Sequence, residues 1–289
     1  MFSDKQPHIT PNSFFHAFTT APSEPSEPPV TIYFITGNPG LIGYYHTFLS
    51  VLSEKIKALT KHEDQSRAFQ IYGHSLAGFE LPEPGQKEQE PQSATHYYDL
   101  EEQIQFVQRK LYNFTADKPD DIDKLSSQSN TAPSTTTRPC VILIGHSVGA
   151  YIAMEVLRRH REGSQGDRPV DFDIIGGTLL FPTVVDIAKS PSGQKLTVRP
   201  PPFSVPLCLI ANETPTPGEK RLLSIIPQLA LVAGMLVRIL TALVPASILW
   251  SLIRIYMPSA PDTMVDTTAG FLKSKRGVQQ ALYVPTSHR

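Results

Sequence analysis

Hydrophobic positions along this chain fall into runs that switch between strand and helix periods. The β-branched and aromatic run over residues 30–36 predicts a buried strand, closed by the turn Gly37-Asn38-Pro39-Gly40. Tyr45, Phe48, Leu49, Leu52 and Ile56 then recur at helical spacing and predict a helix over 43–59. Residues 69–72 read as a short strand. Leu100, Ile104, Val107 and Leu111 share one face of an amphipathic helix over 99–112. The apolar run Val141-Ile142-Leu143-Ile144 predicts a further strand, 151–157 a helix, and 173–181 a fourth strand closed by Pro182. Strands alternating with helices imply a mostly parallel sheet with flanking helices and right-handed crossovers, an α/β fold.

Polar segments separate these runs. Residues 1–29 read as a disordered N-terminal tail, with no apolar core of signal-peptide length. Residues 80–91 read as loop and 158–169 as a polar link. Residues 116–138 are poor in apolar side chains and predict a disordered insertion. The pattern changes near Leu222. From there to Ile253 the only charged residue is Arg238, Pro227 and Pro245 interrupt the run, and each apolar window is shorter than the roughly 20 residues of a membrane span. Ser247, Ser251 and Arg254 form a narrow polar stripe on an otherwise apolar helix. This 222–257 segment fits a cap over an active-site cleft. It also fits an interfacial membrane anchor, with Arg238 and Arg254 reaching back to the surface. Residues 258–289 read as an irregular C-terminal tail, which leaves 30–221 as the core domain.

Composition narrows the function classes. A net charge of −1 offers no electrostatic reason to bind nucleic acid. The 9 histidines show no metal-ligand spacing, and no metal or organic cofactor is expected. The two cysteines, Cys140 and Cys208, sit at edges of apolar runs and read as buried thiols of a reducing compartment. Cytosolic exposure follows, so the sequons at Asn113 and Asn212 read as chance matches.

The candidate chemistry lies in Gly145-His146-Ser147-Val148-Gly149, between a predicted strand and a predicted helix. That order is what a nucleophile elbow needs: a serine on a strained turn at the top of a sheet, with small residues two positions either side. Ser147 is the candidate nucleophile. Acyl transfer also needs two backbone N–H groups aimed at the developing oxyanion. Val148, opening the helix, supplies one, and Asn38 in the turn after the first strand supplies the other, because Pro39 has no N–H. His146 points away from Ser147 on such a turn and reads as packing or hydrogen-bonding support. Gly73-His74-Ser75-Leu76-Ala77-Gly78 imitates the elbow, but its closing glycine lies one position too far, so it reads as a loop. The triad order Ser, acid, His leaves His160 and His288 after Ser147, with Asp262 and Asp266 as acids before His288. None of these follows a strand-like run.

At these motifs the chain resembles the lipid-droplet-associated hydrolase family of the α/β-hydrolases. The resemblance rests on the ten residues from Thr36 to Tyr45, on Gly73-His74, on Gly145 to Tyr151, and on Leu180 to Gly193. It implies an α/β-hydrolase fold and Ser147 as the nucleophile of a serine esterase acting on lipid esters such as sterol esters. It further implies residence at the lipid droplet and on the cytosolic side of the endoplasmic reticulum membrane surface, and turns 222–257 towards the anchor. The family's aromatic-Tyr-Gly-x-x-Asp and His-x-Phe patterns do not occur here. The chain therefore reads as C-terminally shortened, without the last strands, the acid and the base. A non-catalytic droplet or membrane-surface protein that keeps the hydrolase sheet is the alternative, and a soluble hydrolase with a simple lid is a third reading.

Overall fold

The computed structural model describes residues 6–20, 27–60, 67–82, 96–116, 138–163, 172–182, 243–274 and 276–282. Strand β3 (Val30–Ile35) is followed by a 3-10 turn (Ile42–Tyr45) and helix α1 (His46–Thr60). Strand β4 (Ala68–His74), helix α2 (Leu100–Thr115), strand β5 (Cys140–His146), helix α3 (Val148–Gly163) and strand β6 (Asp173–Leu180) complete the α/β alternation. β3 pairs in parallel with both β4 and β5, and β5 with β6. The 6-stranded sheet has the order β1 (His8–Ile9), β2 (Ser13–Thr19), β4, β3, β5, β6, and within it the chain leaves β3 towards β4 on one side and returns to β5 on the other. That reversal opens a crevice beyond the carboxyl ends of β3 and β5, where α/β sheets hold their ligands.

Alternation along the strands divides the core in two. Ile32, Phe34, Ile71 and Ile144 pack with Leu49 of α1 on one face. Tyr33, Ile35, Tyr72, Val141 and Leu143 pack on the other against Ile104, Val107 and Leu111 of α2 and Ile152, Ala153 and Val156 of α3. Helix α2 starts where its sequence says it should. The Asp99 carboxylate accepts the Glu102 N–H at 2.8 Å, and the Glu102 carboxylate accepts the Asp99 N–H at 2.9 Å. This reciprocal capping satisfies two donors that the first helical turn cannot.

The N-terminal segment differs from its expected disorder. Strands β1 (His8–Ile9) and β2 (Ser13–Thr19) extend the sheet, with β2 antiparallel to β4 from Ser13↔His74 to Thr19↔Ala68. Phe14 and Phe18 are fully buried and make this strand part of the core. Burying two aromatic rings outweighs the polar and proline-bearing flanks that disguised the run. The segment 258–289 is likewise not irregular throughout. Helices α4 (Ala246–Tyr256), α5 (Asp262–Lys273) and α6 (Gly277–Leu282) follow one another. Leu249 and Ile253 of α4 close on Val265 of α5 in a small separate cluster. Among the described residues no helix is long and apolar enough to cross a membrane. The expected insertion at 116–138 and most of the apolar run before Leu243 lie outside the described residues, as does Cys208. Cys140 is a free thiol, half-buried and not fully enclosed as expected.

Candidate active site

Ser147 joins the end of β5 to the start of α3 with φ 53°, in the left-handed region that side chains beyond glycine rarely occupy. Such a residue costs about 1–2 kcal/mol and persists only where its surroundings impose it. The surroundings here are backbone. A Cβ on Gly145 would stand 2.4 Å from the Gly149 carbonyl oxygen, and one on Gly149 would stand 2.4 Å from that of Thr36. Strand and helix therefore meet too closely for anything larger at either position. The Ser147 N–H donates to the Leu180 carbonyl at 2.9 Å, tying the turn to the end of β6. Val148 opens α3, whose first-turn N–H groups have no intrahelical acceptor.

The turn after β3 lies against this elbow. A Cβ on Gly37 would meet the Ser147 Cβ at 3.1 Å and His146 Nδ1 at 2.8 Å. The Gly37 N–H donates to the Tyr45 hydroxyl at 3.2 Å, and that hydroxyl lies 3.0 Å from His146 Nδ1. Burial lowers the His146 pKa, so the ring is neutral and Nδ1 accepts the Tyr45 O–H. His146 thus performs the supporting role its position suggested. Tyr45 is the residue whose role sequence reasoning missed: it stood there as one apolar position of a helix and as the last residue of a family motif, with no part in the site. The signal that could have found it is its place eight residues after Gly37, across a turn that must fold back. Asn38 is exposed and its side-chain amide donates to the Ala281 carbonyl of α6 at 3.2 Å.

The other sequence candidates are not gathered at Ser147. His160 lies 13 positions along α3, about 20 Å from the helix start, where its Nδ1 meets the Tyr112 hydroxyl at 3.2 Å and its ring packs on Phe172. Asp266 accepts the Trp250 indole N–H at 2.8 Å, and Asp262 pairs with Arg254. Both carboxylates thereby tie α5 to α4 through Trp250 and Arg254. Arg254 also donates to the Ala260 carbonyl and stacks over Trp250, so it is tied down and does not reach out as an anchor arginine would. His288 lies outside the described residues. The elbow-like sequence at His74 is built into the core. The Tyr33 hydroxyl donates to His74 Nε2 at 2.6 Å, His74 Nδ1 donates to the Ser75 carbonyl at 2.8 Å, and the Ser75 hydroxyl accepts the Ile42 N–H at 3.1 Å. Ser75 is buried, as a structural loop residue should be.

A family model described as lipid-droplet associated hydrolase matches residues 28–287. Three proteins each called lipid droplet-associated hydrolase are similar in sequence. The rat protein is 30% identical over 178 residues, which are 60% of this chain and 43% of the rat protein. The chicken protein is 29% identical over 170 residues (59% and 42%), and the Drosophila melanogaster protein 28% over 174 residues (59% and 44%). The matched part spans less than half the length of those relatives. The family match reaches across every strand from β3 onward and both sides of the Ser147 elbow, and the chain belongs to the lipid-droplet associated hydrolase family.

Proposed function

We propose that this chain is a serine hydrolase of lipid esters, sterol esters or other neutral lipids, working from a lipid-droplet or endoplasmic reticulum surface with Ser147 as nucleophile. The observation that carries the reading is the strained conformation of Ser147 between β5 and α3, enforced by Gly145 and Gly149. In this reading the Ser147 hydroxyl oxygen attacks the ester carbonyl carbon. The N–H groups of Val148 and Asn38 stabilise the tetrahedral oxyanion, and its collapse expels the alcohol and leaves an acyl-serine that water then hydrolyses. The Gly37 N–H is already committed to Tyr45, which supports the assignment of Asn38, made because Pro39 has no N–H, as the donor from that turn.

The proton of Ser147 needs a base, and His74 and His160 among the described histidines are engaged elsewhere. Incubation of the full chain with a fluorophosphonate probe tests the nucleophile. Labelling that Ser147→Ala removes is the expected result; no labelling, or equal labelling of both chains, overturns the reading.

One observation favours a second reading, a non-catalytic protein of the droplet surface. Helix α4 buries Leu249 and Ile253 yet leaves Ile248, Leu252, Ile255 and Tyr256 exposed. A helix that carries apolar residues on its outward side as well as its packed side has a face still to be covered, and a lipid monolayer covers it without requiring Ser147.

A further inference from the structure

Strand β6 forms one end of the sheet, and among the described residues nothing pairs with its outer edge. An unpaired edge is a template for another strand, and proteins guard it with charge, proline or a bulge. β6 carries only the last of these. Val141 of β5 stands opposite Ile174 and Ile142 opposite Gly176, so Ile175 is the extra residue of a bulge. From Gly176 to Leu180 the register with β5 is regular, and no charged residue occurs between Ile174 and Pro182. Along this edge Ile175 is 57%, Leu179 39% and Phe181 83% exposed.

Backbone direction decides what the edge can accept. The Leu180 carbonyl points at β5, where it accepts the Ser147 N–H at 2.9 Å. Alternation then turns the N–H and C=O of Thr178 and Gly176 towards β5, and those of Leu179 and Gly177 outwards. We propose that a second copy of this chain pairs antiparallel with this edge, about a two-fold axis through Thr178.

The segment is complementary to itself about that axis. Gly177 of each copy faces Leu179 of the other, and each such pair exchanges both of its backbone hydrogen bonds. Leu180 stands over Gly176, where an added Cβ would meet nothing within 4 Å. The exposed Ile175 and Phe181 of opposite copies come to the same end of the junction. An axis through Gly177 would carry the bulged Ile175 into the ladder. One through Leu179 would carry in Phe181, whose φ of 47° ends the extended backbone. Pairing also closes on itself, because both free ends of the joined sheet are then β1, a strand only two residues long. An edge contact lies at the small end of specific interfaces, so half-dimerisation is expected at on the order of 10–100 µM. None of this depends on the esterase reading.

Sedimentation velocity of the full chain from about 2 to about 200 µM should show a shift from monomer to dimer. Gly177→Pro removes an outward N–H without touching the ladder to β5, and Leu179→Lys puts an ammonium group on each side of the junction. Each should raise the dissociation constant about tenfold or more, and Leu179→Lys covers the case that Gly177→Pro does not fold. Cross-linking checks the register in a chain carrying Cys140→Ser and Cys208→Ser. There Thr178→Cys brings two α-carbons to about 4.5 Å across the axis, within disulfide reach, and oxidised glutathione should link the copies. Gly176→Cys sets them about 14 Å apart and should leave them unlinked. A chain that stays monomeric over the whole range, growth into larger assemblies, or a dimer undiminished in either folded variant overturns the proposal. So does linking through Gly176→Cys that equals linking through Thr178→Cys.

Discussion

At the scale of single residues, the elbow depends on what glycine lacks. Gly149 brings α3 onto β3 with its α-carbon facing the Ile35 and Thr36 carbonyl oxygens, and both are backbone atoms that cannot rotate aside. Gly149→Ala is therefore expected to lower the unfolding free energy by about 1–3 kcal/mol or more, read from the urea midpoint, because helix and strand must move apart. Tyr45 is a different kind of support. Its hydroxyl accepts from Gly37 and donates to His146, so Tyr45→Phe leaves the buried Gly37 N–H and a ring nitrogen without that partner. A cost of about 1–3 kcal/mol follows. Fluorophosphonate labelling of Ser147 should also slow, since Gly37 borders the Ser147 side chain. Unchanged stability and labelling rate would show that Tyr45 is only filler. The glycine pattern around Ser147 was legible in the sequence because its constraint is local. The Tyr45 contact was not, since His146 lies 101 positions away and nothing in the spacing joins them.

At the scale of elements, periodicity identified the parts that are both amphipathic and cleanly bounded. The apolar stripe of Leu100, Ile104, Val107 and Leu111 made α2 readable, the structure adding the capping box at Asp99 and Glu102, and the β-branched run made β3 and β5 readable. Strand β2 escaped because its alternation, Phe14, His16, Phe18, carries a histidine on the buried face. A buried histidine looks polar on a hydropathy pattern yet is accepted beside Phe18, which its ring contacts at 5.2 Å. Helix α4 is where element and proposed location meet. Leu249 and Ile253 are spent on α5, while Ile248, Leu252, Ile255 and Tyr256 remain outward. Replacing Ile248, Leu252 and Ile255 together by serine leaves the buried side untouched. In oil-loaded cells this variant is expected to lose droplet targeting, as is a deletion of 222–257. Droplet targeting that survives both changes would remove α4 from the lipid surface.

At the scale of the whole molecule, two histidines make folding acid-sensitive. His46 and His74 are buried by different parts of the core, and desolvation pushes each pKa down to about 4 from an ordinary 6.5. The sign follows from proton uptake. Above pH 6.5 neither state binds the proton and the full stability is present. Between 6.5 and 4 the unfolded chain takes up protons that the folded one refuses, so stability falls with falling pH. For the fully enclosed His74 the loss by pH 5 is on the order of 2 kcal/mol. Urea unfolding at pH 7.5 and pH 5 measures it, and His74→Gln should reduce the difference. Equal midpoints at the two pH values would mean that His74 protonates without resistance.

What the sequence by itself determined is the local grammar: strand, sharp turn and helix around Ser147, the parallel α/β alternation, the amphipathic helix α2, and the motifs that resemble the family. Each of these is encoded within a few turns of chain, where backbone sterics and side-chain period act directly. Tertiary structure alone decided which distant residues share a site. It set Gly37 and Tyr45 against the elbow, turned Asp262 and Asp266 into clamps on α4, folded the N-terminal aromatic run into the sheet, and enclosed His46 at the start of α1. Those outcomes depend on which apolar faces find each other across the molecule, and packing of that kind has no period along the chain.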